Sequence, residues 1–190
     1  MIGESIERSR MLAIGASCVA LDLAAGKVTN VLSLPVYLDT IGTILAAALL
    51  PRLLAVAIGI IAALLGWVVI NPIYPFYAGT QAAIAIAAII MIRLGFFRGP
   101  WRAGLMGLVI AVVSVLVSAP VTVMLFGGVT LPGTTAINAV LIAAGQNIWQ
   151  AVVTGSLVVE LVDKVVAVLM AWLILQRLPE RITHRIPGKT

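Results

Sequence analysis

The sequence predicts an all-α integral membrane protein with six transmembrane helices in a single domain that covers residues 1–190. Of its residues 62% are hydrophobic, and the mean hydropathy is +1.18. Only 10% are charged, against about 25% in a typical soluble domain, which leaves too little polar surface to cover a water-soluble globule. The chain also contains a series of apolar segments that approach the roughly 20 residues a helix needs to cross a bilayer.

Six apolar segments follow one another along the chain. They cover residues 11–25, 38–50, 53–70, 79–94, 103–126 and 157–178. Segments two and four are short, so we expect them to continue into non-helical stretches or to lie tilted in the membrane. Segment one has no clear small-residue cleavage site, so we expect a mature helix rather than a signal peptide. Residues 179–190 are expected to form an exposed C-terminal tail.

The basic residues predict the orientation of the bundle. Of the 12 Lys and Arg, ten flank segments on one side of the membrane: Arg8, Arg10, Arg52, Arg93, Arg98, Arg102, Arg177, Arg181, Arg185 and Lys189. Because cytoplasmic loops carry an excess of Lys and Arg, this asymmetry places both termini in the cytoplasm. Scattered in this way, the basic residues indicate contact with the lipid bilayer and no nucleic-acid partner, despite the net charge of +5.

A long outer connection, residues 127–156, lies between segments five and six. It is apolar enough to hold a short helix through Ala144, with Thr134 or Thr135 as its N-cap and Gly145 as its terminator. Such a helix is too short to span the bilayer. We expect it to cover the outer face or to re-enter between helices, where irregular backbone must be buried or line a cavity. An ordinary interfacial hairpin is the alternative.

Three charged residues lie inside segment six, where a charge is costly unless it is paired or hydrated. Glu160, Asp163 and Lys164 have the spacing i, i+3 and i+4, so Glu160 and Lys164 share a helical face and can form an ion pair. At about 1.5 Å per residue, they lie about 5 to 10 Å from the outer end of the helix. They form either the polar floor of an outward-facing ligand cavity or a structural ion pair that fixes this helix to a neighbour.

Two further carboxylates lie near the outer ends of the first two segments. Asp39 follows Pro35, which precludes regular helix on its N-terminal side, so Asp39 with Thr40 is expected to cap helix two. A second interpretation places Asp39 in a cavity wall, within reach of Lys164. Asp22 lies one turn inside helix one and therefore needs a partner.

Aromatic and amide side chains are concentrated on the predicted outer side. The aromatic residues there are Tyr37, Trp67, Tyr74, Phe76, Tyr77 and Trp149. An interfacial aromatic belt explains such a cluster. The alternative is a stacking wall for a flat heterocycle, with Tyr77 or Trp149 as the stacking residue. Gln81 and Asn147 are candidates for hydrogen bonds to the same ligand, because a small polar ligand needs a few placed polar groups in a mostly apolar pocket.

Small residues recur at every fourth position in two segments. They are Ala16, Ala20 and Ala24 in segment one, and Ala55, Gly59 and Ala63 in segment three. Small residues at this spacing let helices approach closely. They predict either tight packing inside this chain or a docking surface for a partner membrane subunit.

The sequence argues against an enzyme. It contains no complete nucleotide-binding motif, no His/Cys cluster suited to a metal ion, and no Ser-His-Asp set that the membrane topology would bring together. Asp39 with Asp163 is the only pair from which an intramembrane acid/base site could be built. We therefore expect no catalytic residue, no metal and no cofactor.

These features resemble the S components of energy-coupling factor (ECF) transporters, which are substrate-binding membrane subunits, mostly for vitamins. The likeness rests on six helices in 190 residues, the alanine ladder of segment one, and an intramembrane polar patch toward the outside. Two stretches are the most similar: residues 34–43 (LPVYLDTIGT), and residues 126–164, which contain FGGVT, GQNIW and ELVDK. Some S components of this appearance are thought to handle pyridoxine-like compounds.

The resemblance implies a mechanism and a set of partners. The subunit would capture a vitamin-like small molecule at the outer face of a bacterial or archaeal cell membrane, under a lid of outer loops. It would dock on a transmembrane coupling subunit through Ala16 and Ala20, while two cytoplasmic ATPases supply the energy. The implied substrate-binding residues are Asp39, Tyr77, Gln81, Asn147, Trp149, Glu160, Asp163 and Lys164. A solitary membrane binding protein, or a small porter that works without ATP, would have the same pattern.

Overall fold

Residues 2–179 form a helical bundle in the computed structural model of this chain, and side chains are described for residues 6–131 and 133–179. Seven α-helices and two 3₁₀ turns make up this part of the chain, which contains no β-strand. The all-α prediction is therefore confirmed. Most of the predicted tail, residues 180–190 with Arg181, Arg185 and Lys189, lies outside the described residues.

The helices alternate with short connections. In chain order they are α1 (Ile2–Val31), α2 (Ile41–Leu49), α3 (Arg52–Val69), α4 (Ala78–Arg93), α5 (Pro100–Phe126), α6 (Pro132–Ala143) and α7 (Ile148–Arg177). The 3₁₀ turns Tyr74–Tyr77 and Phe96–Arg98 lead into α4 and α5. Local chemistry explains the breaks: α2 ends where extended Leu50 precedes Pro51, and α5 ends at Gly127, whose φ of 56° is a conformation that glycine adopts readily.

Four stretches of helix are long and apolar enough to cross a membrane: Ile6–Val31, Arg52–Val69, Tyr74–Arg93 and Pro100–Phe126. Four of the six predicted spans therefore correspond to helices that could cross a membrane. α7 has 30 residues, or about 45 Å, but it carries the three charged residues of segment six. α2 has nine residues, or about 14 Å, which is short against a hydrocarbon core of about 30 Å.

The start of α7 differs from the prediction. This helix begins at Ile148, inside the stretch 127–156 that the sequence assigned to a connection. Asn147 and Gln150 explain the early start, because each side chain accepts a hydrogen bond from the backbone N–H of the other and together they form a capping box. The hydropathy pattern misses this start because polar residues interrupt the first turns of the helix.

The short outer helix is present as α6, but it is not capped as predicted. No side chain caps its N-terminus, so capping by Thr134 or Thr135 is wrong. The Thr135 hydroxyl instead accepts a hydrogen bond from the Thr130 N–H at 2.9 Å and secures the turn before the helix. The end agrees with the prediction, since α6 stops at Ala143 and Gly145 follows with a φ of 94°.

Asp22 of α1 caps α2 from a neighbouring helix. Its Oδ1 accepts a hydrogen bond from the Gly42 N–H at 2.6 Å, and its Oδ2 accepts from the Thr43 N–H and hydroxyl at 2.9 and 2.8 Å. The free N–H groups of the helix N-terminus are thus the partner that a buried Asp22 needs. Thr40 occupies the N-cap position without a side-chain hydrogen bond to the helix, so the predicted capping by Asp39 and Thr40 is wrong.

The two ladders of small residues have different surroundings. Ala55, Gly59 and Ala63 of α3 are buried, which confirms packing inside the chain for this helix. The ladder of α1, Ala16, Ala20 and Ala24, is exposed, so tight packing inside this chain is the wrong interpretation there. A close contact between two long helices lies at Gly107, where an added Cβ would be 2.6 Å from the Cα of Val165, so α5 packs backbone to backbone on α7.

Candidate functional site

A cavity of about 70 Å³ lies at the end of the bundle that holds the α1–α2, α3–α4 and α5–α6 connections. Its walls are completed by side chains of α3, α4, α5 and α7. The lining residues are Tyr37, Asp39, Ala63, Ile73, Tyr74, Tyr77, Thr80, Gln81, Ile84, Ser114, Thr130, Leu131, Glu160 and Lys164. Arg52, Arg93 and Arg98 lie at the other connections, α2–α3 and α4–α5, so the cavity is at the opposite end from these arginines.

Lys164 of α7 is the centre of a buried charged cluster. Its Nζ lies 2.6 Å from Oδ2 of Asp163, 3.1 Å from Oε2 of Glu160 and 3.9 Å from Oδ1 of Asp39. The ion pair between Glu160 and Lys164 that the spacing predicts is therefore present. The structure also brings Asp39 to the same lysine, across 125 residues of sequence. Such mutual pairing is what makes buried charges tolerable in a low-dielectric interior.

Asp163 is fully buried, and its oxygens are occupied by groups of this chain. Its Oδ1 accepts hydrogen bonds from the backbone N–H groups of Tyr37 and Leu38, at 2.8 and 2.7 Å, and its Oδ2 accepts from Lys164. Asp163 is also absent from the cavity lining. Asp163 therefore fixes the backbone of the 32–40 connection, which contains Tyr37 and Asp39.

Glu160 and Asp39, in contrast, present carboxylates to the cavity. Oε2 of Glu160 is buried and meets Lys164 without hydrogen-bond geometry. The backbone carbonyl of Asp39 accepts a hydrogen bond from Nε2 of Gln81 at 3.2 Å, which ties the 32–40 connection to α4. The cavity therefore has carboxylates on two of its sides, with Lys164 between them.

Several oxygens on the cavity wall have no partner within the described residues. They are Oγ1 of Thr80, Oε1 of Gln81, Oγ of Ser114 and Oγ1 of Thr130. Thr80, Gln81 and Ser114 are at most 6% exposed, so bulk water does not satisfy them. A buried polar atom without a partner costs about 1 to 3 kcal/mol, and such a set in one cavity is typical of groups reserved for a ligand or ordered water.

Tyrosines form the remaining polar part of the wall. The Tyr77 hydroxyl lies 2.8 Å from Oγ1 of Thr122, and its ring stacks on Phe126 with centroids 6.1 Å apart. The Tyr37 hydroxyl lies 2.7 Å from Oγ1 of Thr134 and so joins the 32–40 connection to α6. Because the Tyr37 and Tyr77 hydroxyls already have partners, these rings offer a ligand mainly their faces.

Three of the predicted substrate-binding residues do not line the cavity: Asp163, whose oxygens are occupied as described above, and Asn147 and Trp149. Asn147 is exposed and acts as the N-cap of α7, and Trp149, the second residue of this helix, is 46% exposed. The short helix α6 separates them in sequence from the Thr130 side of the site. The predicted residues that do line it are Asp39, Tyr77, Gln81, Glu160 and Lys164.

The sequence interpretation missed Thr80, Ser114 and Thr130 as components of the site, whereas it included Tyr37 among the aromatic residues of a possible stacking wall. A signal was present in segment five, where Ser114, Ser118 and Thr122 repeat at every fourth position of an otherwise apolar helix. All three are buried, on the face of α5 that carries the cavity wall at Ser114. Polar residues at this spacing in a transmembrane segment indicate a face directed toward protein or a cavity rather than toward lipid.

Among the side chains that the structure describes, no group of three or more His, Cys, Asp or Glu residues is arranged to hold a metal ion. The amine of Lys164 occupies the space among the carboxylates instead. Ala16 and Ala20, the predicted docking residues, are exposed on α1 and take no part in the cavity. Comparisons of this chain with protein-family models, with curated proteins and with solved structures found no match.

Proposed function

We propose that this protein is the substrate-capture subunit of an ATP-driven uptake transporter, an S component of the ECF type, and that it binds a small heterocyclic vitamin or precursor. The observation that carries the proposal is the buried cavity whose wall holds unpartnered oxygens beside a charged cluster. A purely structural core satisfies its buried polar groups. A capture site keeps such groups free for the molecule that it binds.

The proposed topology has six spans with both termini in the cytoplasm of a bacterial or archaeal cell. α1, α3, α4 and α5 supply the four apolar spans. α7 is the proposed sixth span, since its three charged residues are paired within the bundle. α2 crosses only part of the bilayer, and the irregular 32–40 connection completes the crossing. Non-helical backbone is tolerated at membrane depth where it is buried in protein or lines a cavity, and this connection lines the cavity.

Ligand entry in this proposal is controlled from the outer face. The 32–40 connection, which lines the cavity, is joined to α6 by two contacts: the hydrogen bond between Tyr37 and Thr134, and the approach of Gly133 to the backbone of Leu34. An added Cβ at Gly133 would lie 2.8 Å from the Leu34 carbonyl oxygen. Loss of this contact opens the cavity, and its formation retains the ligand.

The proposed docking surface is the exposed ladder of α1. Ala16 and Ala20 project no bulk from the helix and face away from the bundle, so another membrane helix can approach closely. The sequence has no complete nucleotide-binding motif, so the proposal assigns ATP hydrolysis to partner subunits.

Mass spectrometry of small molecules released by heating the purified, folded full chain tests the proposal. We expect one compound in a stoichiometric amount, and co-purification of a membrane coupling subunit with two ATPases from the native host. A folded protein that yields no compound contradicts tight capture. Substrate flux into vesicles that contain only this chain, without ATP, would instead support a porter.

A further inference from the structure

The charges around the cavity do not balance. Asp39, Glu160 and Asp163 contribute three carboxylates and Lys164 contributes one ammonium group, so the cluster has a formal charge of −2. Asp163 is satisfied by two backbone N–H groups and Lys164. The excess negative charge therefore belongs to Asp39 and Glu160, the two carboxylates that line the cavity. An uncompensated buried charge is costly, and a bound cation compensates it.

The hydrogen-bonding groups on the cavity wall also favour a cationic ligand. Oε1 of Gln81 is a buried acceptor that receives no hydrogen bond, and Oε2 of Glu160 has only its 3.1 Å ion pair with Lys164. Both residues are 5% exposed. The hydroxyls of Thr80 and Ser114, also unpartnered, can accept as well as donate. No lining N–H group is among the unpartnered atoms of the described residues. Gln81 Oε1 and Glu160 Oε2 carry no hydrogen atom, so they need donors, which a ligand can supply, whereas the hydroxyls can serve it in either role.

The size and the aromatic wall limit the ligand further. At about 70 Å³ the cavity is small beside the roughly 300–1,000 Å³ of sites for drug-sized ligands, so it favours a single ring. The rings of Tyr37, Tyr74 and Tyr77 line it, and aromatic faces attract cations. Lys164 already makes such a contact, since its Nζ lies 5.8 Å from the centroid of the Tyr37 ring.

From these three observations we infer that the ligand is a small organic cation: a single-ring compound whose protonated amine donates hydrogen bonds to Glu160 and Gln81 while the ring lies against the tyrosines. This inference rests on the proposed capture function and specifies the ligand of the same site. Lys164 does not replace such a cation, because it compensates only one of the three carboxylates around it.

Two matched sets of probes test the charge of the ligand. One set is pyridoxamine, pyridoxine and 4-pyridoxate; the other is benzylamine, benzyl alcohol and benzoate. Within each set the compounds share one ring and differ mainly in a substituent that is an amine, an alcohol or a carboxylate. Binding to the full chain in detergent is measured by calorimetry at pH 7. We expect the amine of at least one set to bind at least tenfold more tightly than its alcohol and its acid.

Glu160→Gln removes one charge and keeps the shape of the side chain. It should reduce the preference for the amine at least tenfold, and Asp39→Asn serves as a second variant if Glu160→Gln fails to fold. Glu7→Gln, which removes a carboxylate from the exposed N-terminal part of α1, is the control and should leave the preference unchanged.

Three results overturn the inference. The first is an alcohol or acid that binds as tightly as the amine, which would mean that Glu160 is uncharged in the cavity; this leaves the capture function intact. The second is stabilisation by Na⁺ or K⁺ alone with no preference for an amine. The third is the failure of all six probes to bind. The capture function is then tested separately by mass spectrometry of the released compounds, which does not depend on the charge of the ligand.

Discussion

Oδ1 of Asp163 lies 2.7 Å from the backbone nitrogen of Leu38, a non-glycine residue whose φ of 52° is in the left-handed region. That conformation costs a residue with a side chain about 1 to 2 kcal/mol. The carboxylate offsets this cost by binding two consecutive N–H groups of the connection. The last helix of the bundle thereby fixes the backbone on which Tyr37 and Asp39 stand.

Asp163→Asn should lower stability as well as ligand affinity, because an amide is a weaker acceptor for two N–H groups and no longer pairs with Lys164. We expect a loss of about 1 to 3 kcal/mol in the free energy of unfolding. Thermal unfolding of the full chain in detergent measures it. Glu160→Gln is the matched control. It removes a negative charge that pairs with Lys164 and leaves the hydrogen bonds from the 32–40 connection to Asp163 in place. Equal melting temperatures for both variants and wild type would refute this assignment.

Ser114→Ala should lower ligand affinity without lowering the stability of the fold. Oγ of Ser114 is buried without a partner, so its removal relieves an unsatisfied group and should leave the melting temperature unchanged or raised. Ligand affinity should fall about tenfold if this hydroxyl serves the ligand. Thr122→Val gives the comparison, because the Thr122 hydroxyl already binds Tyr77 and its loss should reduce stability. A destabilised Ser114→Ala protein would contradict the assignment.

Gly107→Ala should destabilise the bundle where α5 and α7 touch. The new Cβ would lie 2.6 Å from the Cα of Val165, and backbone atoms cannot move aside as a flexible side chain can. We expect a loss of about 1 to 3 kcal/mol. Gly104→Ala, one turn earlier in α5, has no atom within 4 Å of the added Cβ and should be neutral or slightly stabilising. Similar unfolding curves for the two variants would show that the helices are farther apart.

Asp22→Ala should weaken the attachment of α2. It removes three hydrogen bonds to Gly42 and Thr43 from a buried site, so we expect the free energy of unfolding to fall by about 2 kcal/mol or more. Ser17→Ala on the exposed side of the same helix is the control, since its hydroxyl binds only the carbonyl of Ala13. Thermal unfolding compares them, and an unchanged melting temperature for Asp22→Ala would argue against this cap.

Ala20→Leu tests the proposed docking surface. The position is exposed, so stability and ligand binding should be unaffected, whereas co-purification of the coupling subunit should be lost. Val112→Leu adds bulk at an exposed position of α5, away from the ladder, and should leave the complex intact. Retention of the partner by Ala20→Leu would exclude this face of α1 from the contact.

The helical class and the Glu160–Lys164 pair were predictable because hydropathy and i, i+4 spacing are local properties. The cap of α2 was not, because Asp22 acts from another helix and local capping rules point to Asp39 and Thr40. The start of α7 was missed for a different reason: the polar residues of its first turns lower the hydropathy, while the capping box that begins the helix is a hydrogen-bond pattern. The cavity required the packing of four helices, which no window of sequence contains.

The link between Asp163 and the 32–40 connection has a consequence for biogenesis. Its partners are 125 and 126 residues apart, so the first and last parts of the chain must both be in the membrane before the site exists. Until α7 arrives, Leu38 lacks the carboxylate that binds its N–H group in this unfavourable conformation. Until the early helices are in place, the charges of α7 lack Asp39 and the backbone N–H groups that Asp163 binds. Insertion of the last helix and formation of the binding site are therefore one event, and a ribosome-bound chain that stops short of α7 is expected to have no affinity for the ligand.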